Sequence, residues 1–362
     1  MCRATSVLSS VVLVFGLLTT VSYGQLSGLY EFDGGGDGTS WDDAANWEQV
    51  LDPFGAPISG NPATPPSAVT SADIPLSGVV IDNTMPGLTA LDVRISTTNG
   101  AGSLNMSGGG LTLRDLFVGG DNITGINPGT LDVSGGTLIV GDDITVGDGV
   151  MGTMTMSNGA ASTDDDFFIN TKSSLTMTGG TLSVGDRLAM DGNASLLIDG
   201  GDIVVDDDSY LFGDAQMTVD SGSMIVIDKL RFDDDITKNG KLTINGGLVR
   251  SNEFGIIDGL NDHILRGVVE INGDGVYQVE AFGVGGPISQ LSVAYATQLI
   301  ADGYFITSEL APLNLAASAV VVPEFGGRTD VIFTQISIVP EPASVVLLGL
   351  GSLGLAVRRR AA

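Results

Sequence analysis

One short pattern recurs along the middle of this chain and limits what it can fold into. An apolar residue is followed by a second two positions later and by glycine at position five. The anchors are Leu104, Leu131, Met154, Leu175, Leu196, Met217 and Leu242, spaced by 27, 23, 21, 21, 21 and 25 residues. At +2 stand Met106, Val133, Met156, Met177, Ile198, Val219 and Ile244. At +5 stand Gly109, Gly136, Gly159, Gly180, Gly201, Gly222 and Gly247. Further apolar residues fall at +7, as in Leu111, Leu138, Leu182 and Ile203, and near +13 and +15, as in Ile144/Val146, Phe167/Ile169 and Leu188/Met190.

Alternation of this kind places 0 and +2, +7 and +9, and +13 and +15 on one side of three short strands. The glycine supplies the first corner, because it accepts positive φ without a Cβ clash. Three strands and three corners in about 21 residues describe one coil of a parallel β-helix. A single coil cannot bury its apolar side; stacking does that. A sandwich of hairpins would not need the same residue type at one offset in successive units. The expected class is therefore all-β: a parallel β-helix of three-strand coils with N- and C-terminal caps.

Composition agrees. Glycine is abundant at 52 residues, and a 43% apolar fraction is enough to bury a core. The formal charge is −28, which loss of the four arginines at the two ends takes to −32. A field that negative repels nucleic acid and anionic lipid and attracts cations. The single cysteine, Cys2, and the single histidine, His263, exclude disulfides, a thiolate metal site and a histidine-rich metal centre.

The N-terminus has Arg3, the apolar run 7–18 and the small residues Ser22 and Gly24 before Gln25. That is a secretory signal peptide, residues 1–24, cut between Gly24 and Gln25. At the other end, Pro340-Glu341-Pro342 precedes the apolar run 345–357 and Arg358, Arg359 and Arg360. This run has 13 residues, against the roughly 20 of a stable bilayer span. A transmembrane helix here would be a poor permanent anchor, so the contact with the membrane is expected to be transient. The arginines hold the extreme end on the cytoplasmic side.

Residues 339–362 resemble the PEP-CTERM sorting signal, with Pro340, Glu341, Pro342 and Arg358–Arg360 as its matching positions. The resemblance implies processing by an exosortase and export to the surface, outer membrane or extracellular matrix of a Gram-negative-type bacterium that makes extracellular polysaccharide. The repeats also resemble the autotransporter-type and PEP-CTERM-associated β-strand repeats of bacterial surface proteins, over roughly residues 100–257.

Between signal peptide and repeats, residues 25–100 read as an N-terminal cap followed by first strands at 79–81 and 91–95. The segment Trp41-Asp42-Asp43-Ala44-Ala45-Asn46-Trp47 suits capping; a sugar-stacking platform is the functional alternative. Repeats occupy 101–257. Residues 258–338 read as a β-rich C-terminal cap with one short helix, from the apolar stripe at 288, 291, 295 and 299.

The most pointed chemical signal is at +11: Asp115, Asp142, Asp165, Asp186, Asp207, Asp228 and Glu253. Stacked coils bring such residues about 4.8 Å apart. Like charges at that distance repel by about 1 kcal/mol in water and about 3 at an effective dielectric of 20. Arg187 and Lys229 at +12 offer counter-charge. Two readings stay open: solvated turns using Asp geometry, or a Ca²⁺ ladder drawing on Asp142, Asp165, Asp186, Asp207 and Asp228.

No repeat breaks the acid pattern as an active site would, so the chain is expected not to be an enzyme. The expected function is a structural or adhesive component of the cell surface or matrix, with extracellular polysaccharide as a candidate partner. The alternative is a polysaccharide-acting β-helix lyase or hydrolase. A groove with clustered Asp, Arg and aromatics would favour the enzyme; smooth faces with ladders would favour the structural role.

Overall fold

The computed structural model describes residues 28–340 except 52–55, 58–59, 97–99, 120–126, 233–238, 257–266, 281–292, 309–312 and 326–327. The chain is nearly all β and winds into a solenoid of about seven turns, with about 23 residues per turn. The long first and last intervals of the repeat raise the mean above the 21 residues of the central coils.

A central coil shows the design. Ser174–Met177, Thr181–Val184 and Leu188–Met190 form its three sides. They pair in parallel and in register with Thr153–Met156, Ala160–Thr163 and Phe167–Ile169 of the preceding coil. In the following coil the first two sides run together as Ser195–Val205, and in the next all three form Gln216–Phe232. The repeat offsets thus become three sheet faces, here called first, second and third in chain order.

Inward positions are closed to solvent. Leu175, Met177, Leu188 and Met190 are fully buried, as are Leu131, Val133, Ile144 and Val146 below them. Burial contributes about 1.5–3 kcal/mol per such side chain. All seven corner glycines have positive φ, from 66° to 83°. A Cβ on Gly180 would also lie 2.6 Å from the Gly159 carbonyl oxygen, so both backbone and space demand glycine there.

Aromatics plug the two ends. Trp41 and Trp47 are fully buried, with ring centroids 4.9 Å apart, and Phe32 meets Trp47 edge-on at 5.1 Å. The sugar-stacking alternative for this pair fails because neither ring reaches the surface. Asn46 explains the spacing: its Oδ1 accepts from Gly36 and Gly38, and its Nδ2 donates to Asp37 and the Ser40 carbonyl. Parallel stacking is already established before residue 100, where Val79–Ile81, Leu88–Thr89 and Asp92–Ile95 pair with the first full repeat.

At the far end Phe232, Phe254, Tyr277 and Phe305 form a second aromatic cluster. There the strand direction reverses. Val276–Glu280 pairs antiparallel with Arg328–Pro340, which forms a long hairpin with Leu313–Phe325. The described helix is Val293–Ala301, with Leu299 of the apolar stripe buried and Ala296 beside it buried too; stripe positions 288 and 291, and the side chain at 295, lie outside the described residues.

Among the described residues no helix is long and apolar enough to cross a membrane. The expected transmembrane helix is therefore not supported; the run assigned to it, 345–357, lies outside the described residues. So do Gly24, Gln25, Glu341, Pro342 and Arg358–Arg360.

Candidate functional site

The acidic corner between the second and third faces holds two ladders where the sequence suggested one. Asp142, Asp165, Asp186, Asp207 and Asp228 follow one another, and from Asp165 onward each backbone carbonyl accepts the N–H of the next Asp at 3.1–3.2 Å. Asp115 and Glu253 leave this column. Asp115 pairs with Asp92, and Glu253 with Lys229. The cause is corner length. Two residues, Arg114 and Asp115, join Leu113 to Leu116, whereas three join Val140 to Ile144; Asn252 and Glu253 make the same shorter corner.

The second ladder is Asp92, Asp115, Asp143, Asp166, Arg187, Asp208, Lys229 and Glu253, closer to the core. Asp115 accepts the N–H of Asp143, Asp143 that of Asp166, Asp166 that of Arg187, and Asp208 that of Lys229. Asp166 and Asp208 are buried. Their charge is met by arginine: Arg187 binds Asp166 through both oxygens, and Arg231 lies 3.1 Å from Asp208. Arg114 bridges Asp92 and Asp115 at 2.8 and 2.7 Å.

Between these pairs lies a stretch rich in negative charge. Asp142, Asp143 and Asp165 place carboxylate oxygens within 4.8 Å of one another, as do Asp165/Asp166/Asp186 and Asp207/Asp208/Asp228. Burial and the neighbouring carboxylates push Asp143 and Asp165 above the usual carboxylate range. Asp207 is raised by burial, by a hydrogen bond with Asp186 and by adjacent charges. All five aspartates named as metal candidates thus enter acid clusters, together with Asp143, Asp166 and Asp208 from the inner ladder. The number of oxygens suits a hard cation, and the same geometry suits screened turns.

Beside the inner ladder the third face turns a column of side chains outward: Arg94, Phe117, Thr145, Phe168, Ala189, Tyr210 and Arg231 are equivalent in successive coils. Every aromatic residue from 101 to 257 belongs to this third side or, for Phe212, directly follows it. Phe167, Phe232 and Phe254 point toward the core, while Phe117, Phe168, Tyr210 and Phe212 are half-exposed. Tyr210 stacks on Phe212 at 5.2 Å, lies under the Arg231 guanidinium at 5.4 Å, and donates to Asp208 at 2.6 Å. Burial and that carboxylate push its hydroxyl up to about 12. The repeat pattern did not single out the outward rings Phe117, Phe168, Tyr210 and Phe212. The signal was a large side chain at +14 in alternate coils, hidden at Phe117 by the same one-residue slip.

The closing hairpin ends where the sorting motif begins in sequence. Its last strand ends at Pro340, in register with Leu313. Residues 339–360 match the PEP-CTERM protein-sorting motif. This PEP-CTERM tail marks an exported, cell-surface-sorted substrate of exosortase. No curated protein and no solved structure matches the chain.

Proposed function

We propose that this PEP-CTERM protein is a non-catalytic structural or adhesive component of the cell surface or extracellular matrix of a Gram-negative-type bacterium. One observation carries the reading: a solenoid closed at both ends by aromatic plugs runs directly into the sorting tail, with Pro340 ending the last strand. A rigid rod delivered to the outside presents side chains along its length. Its acid ladders are tied to backbone N–H groups and arginines, as turn scaffolding requires. Exosortase is the processing partner, and contact of the tail with the membrane is transient.

Mass spectrometry of the exported protein should find Arg358–Arg360 removed, and Glu341→Ala should accumulate an uncleaved precursor in the membrane fraction. The mature chain should co-fractionate with the matrix. Recovery of the intact C-terminus outside the cell, or of mature protein free in the medium alone, would overturn the reading.

A polysaccharide-acting enzyme is the second reading, favoured by the convergence of Asp166, Asp208, Arg187 and Arg231 with aromatics on one face. Release of new reducing ends, or of unsaturated sugars, from a polysaccharide by the purified chain would decide for it.

A further inference from the structure

We infer that the outward column of the third face is a binding site for an extended polysaccharide that carries no acidic groups. The inference deepens the surface role proposed above and rests on it.

The column alternates large and small: Phe117, Thr145, Phe168, Ala189, Tyr210. Rings therefore recur every second coil, about 9.6 Å apart at the spacing of stacked strands. Ala189, half-exposed between Phe168 and Tyr210, leaves room for a ligand edge between these two rings, whereas Thr145, between Phe117 and Phe168, is nearly closed to solvent. The outer walls are braced, by Arg94 at 5.8 Å from the Phe117 ring and by Phe212 and Arg231 around Tyr210. Phe168 stands between them, half-exposed.

Alongside run the half-buried carboxylates Asp115 and Asp143, while Asp166 and Asp208 are buried and already held by Arg187 and Arg231. A ligand here must offer apolar faces to rings and hydroxyl or amino donors to carboxylates at its edge. Pyranose rings have both, and an extended glycan advances by about one coil per sugar. A peptide strand does not suit the face, because the backbone groups of the inner strands are already paired to the coils on either side. The charge of −28 excludes polyuronates and sulfated chains and favours neutral or amino-sugar polymers. The first face lacks this chemistry: its equivalent positions are Asn105, Asp132, Thr155, Thr176, Leu197 and Thr218.

The test is titration calorimetry on the exported protein with three probes: a soluble neutral β-glucan oligomer, a chitosan oligomer and a polyuronate of equal length. Binding of one or both of the first two, and not of the polyuronate, is expected. Phe168→Leu keeps apolar volume and removes the flat ring; it should weaken binding at least tenfold with an unchanged melting temperature. Phe117→Leu should do the same, while Thr176→Val on the first face should not. Binding of neither non-acidic probe would overturn the site, as would wild-type affinity in both leucine variants. Matrix association that persists under either result would leave the surface role standing without this site; loss of matrix association with glycan binding intact would do the reverse.

Discussion

Asp166 holds the equivalent residue of the next coil twice: its Oδ1 accepts both the Arg187 backbone N–H at 3.1 Å and the Arg187 Nε–H at 3.0 Å. The second oxygen accepts from Nη2. The side chain of Asp166 is 6% exposed and that of Arg187 46%, so the carboxylate depends on the guanidinium more than the reverse. Arg187→Gln should cost about 1.5–3 kcal/mol, the range for hydrogen bonds to charged groups. Arg187→Lys should recover only part, since an ammonium cannot span both oxygens. Chemical denaturation of the three proteins checks the order.

Asp143 lies in the stretch where arginine does not reach. Its carboxyl is raised above the ordinary carboxylate value of about 3.9. A raised carboxyl stabilises the fold below that ordinary value and loses the contribution as pH climbs through its folded pKa. Asp143→Asn keeps an oxygen for the Asp166 N–H and removes the charge. The variant should be more stable than wild type at pH 7, by about 1 kcal/mol. The difference should vanish near pH 3, and melting curves at the two pH values test it.

Gly180 has φ +83°, and any Cβ there would press on the Gly159 carbonyl. Gly180→Val should destabilise by more than the ~1 kcal/mol of an ordinary glycine replacement. Wild-type melting would refute the stacked-corner geometry.

Asn46 serves four partners across ten residues of the N-terminal cap, and Ser40, with Thr39 and then Asn46, holds the Asp37 carboxyl well below its usual range. Asn46→Ala orphans the Gly36 and Gly38 N–H groups, which should cost about 3 kcal/mol. Limited proteolysis should then cut within residues 33–40 before any repeat.

Salt separates the two readings of the acid clusters. If they are screened turns, NaCl and CaCl₂ at matched ionic strength should raise the melting temperature equally. That is the expected result, because the inner carboxylates already serve backbone and arginine. An additional rise with CaCl₂, blunted in Asp165→Asn, would show bridging by the metal.

The coil was legible because stacking imposes one residue type at one height. Gly136, Gly159 and Gly180 had to match, and so did Leu131 and Leu175. The acid ladders were legible only in part. A corner of two residues instead of three displaces Asp115 and Glu253 by one position, and no apolar spacing within a strand reveals it. Trp41 and Trp47 showed their spacing but not their direction, which Asn46 sets by folding the loop back. The closing hairpin was hidden for another reason: Leu313–Phe325 and Arg328–Pro340 occur once, and a reversal of strand direction leaves no period to detect.

The orientation of the ladders has a mechanical consequence. Strands run across the rod, so their hydrogen bonds lie along its axis. Tension between the ends opens these bonds like a zip rather than shearing a whole sheet at once. Without cysteine in the repeats, no covalent link stops the process. Each coil that yields frees about 23 residues, or roughly 75 Å of slack. A load applied at the C-terminal end meets the antiparallel hairpin before any coil. Stretched from its ends, such a rod would yield one coil at a time, beginning with the strand that ends at Pro340.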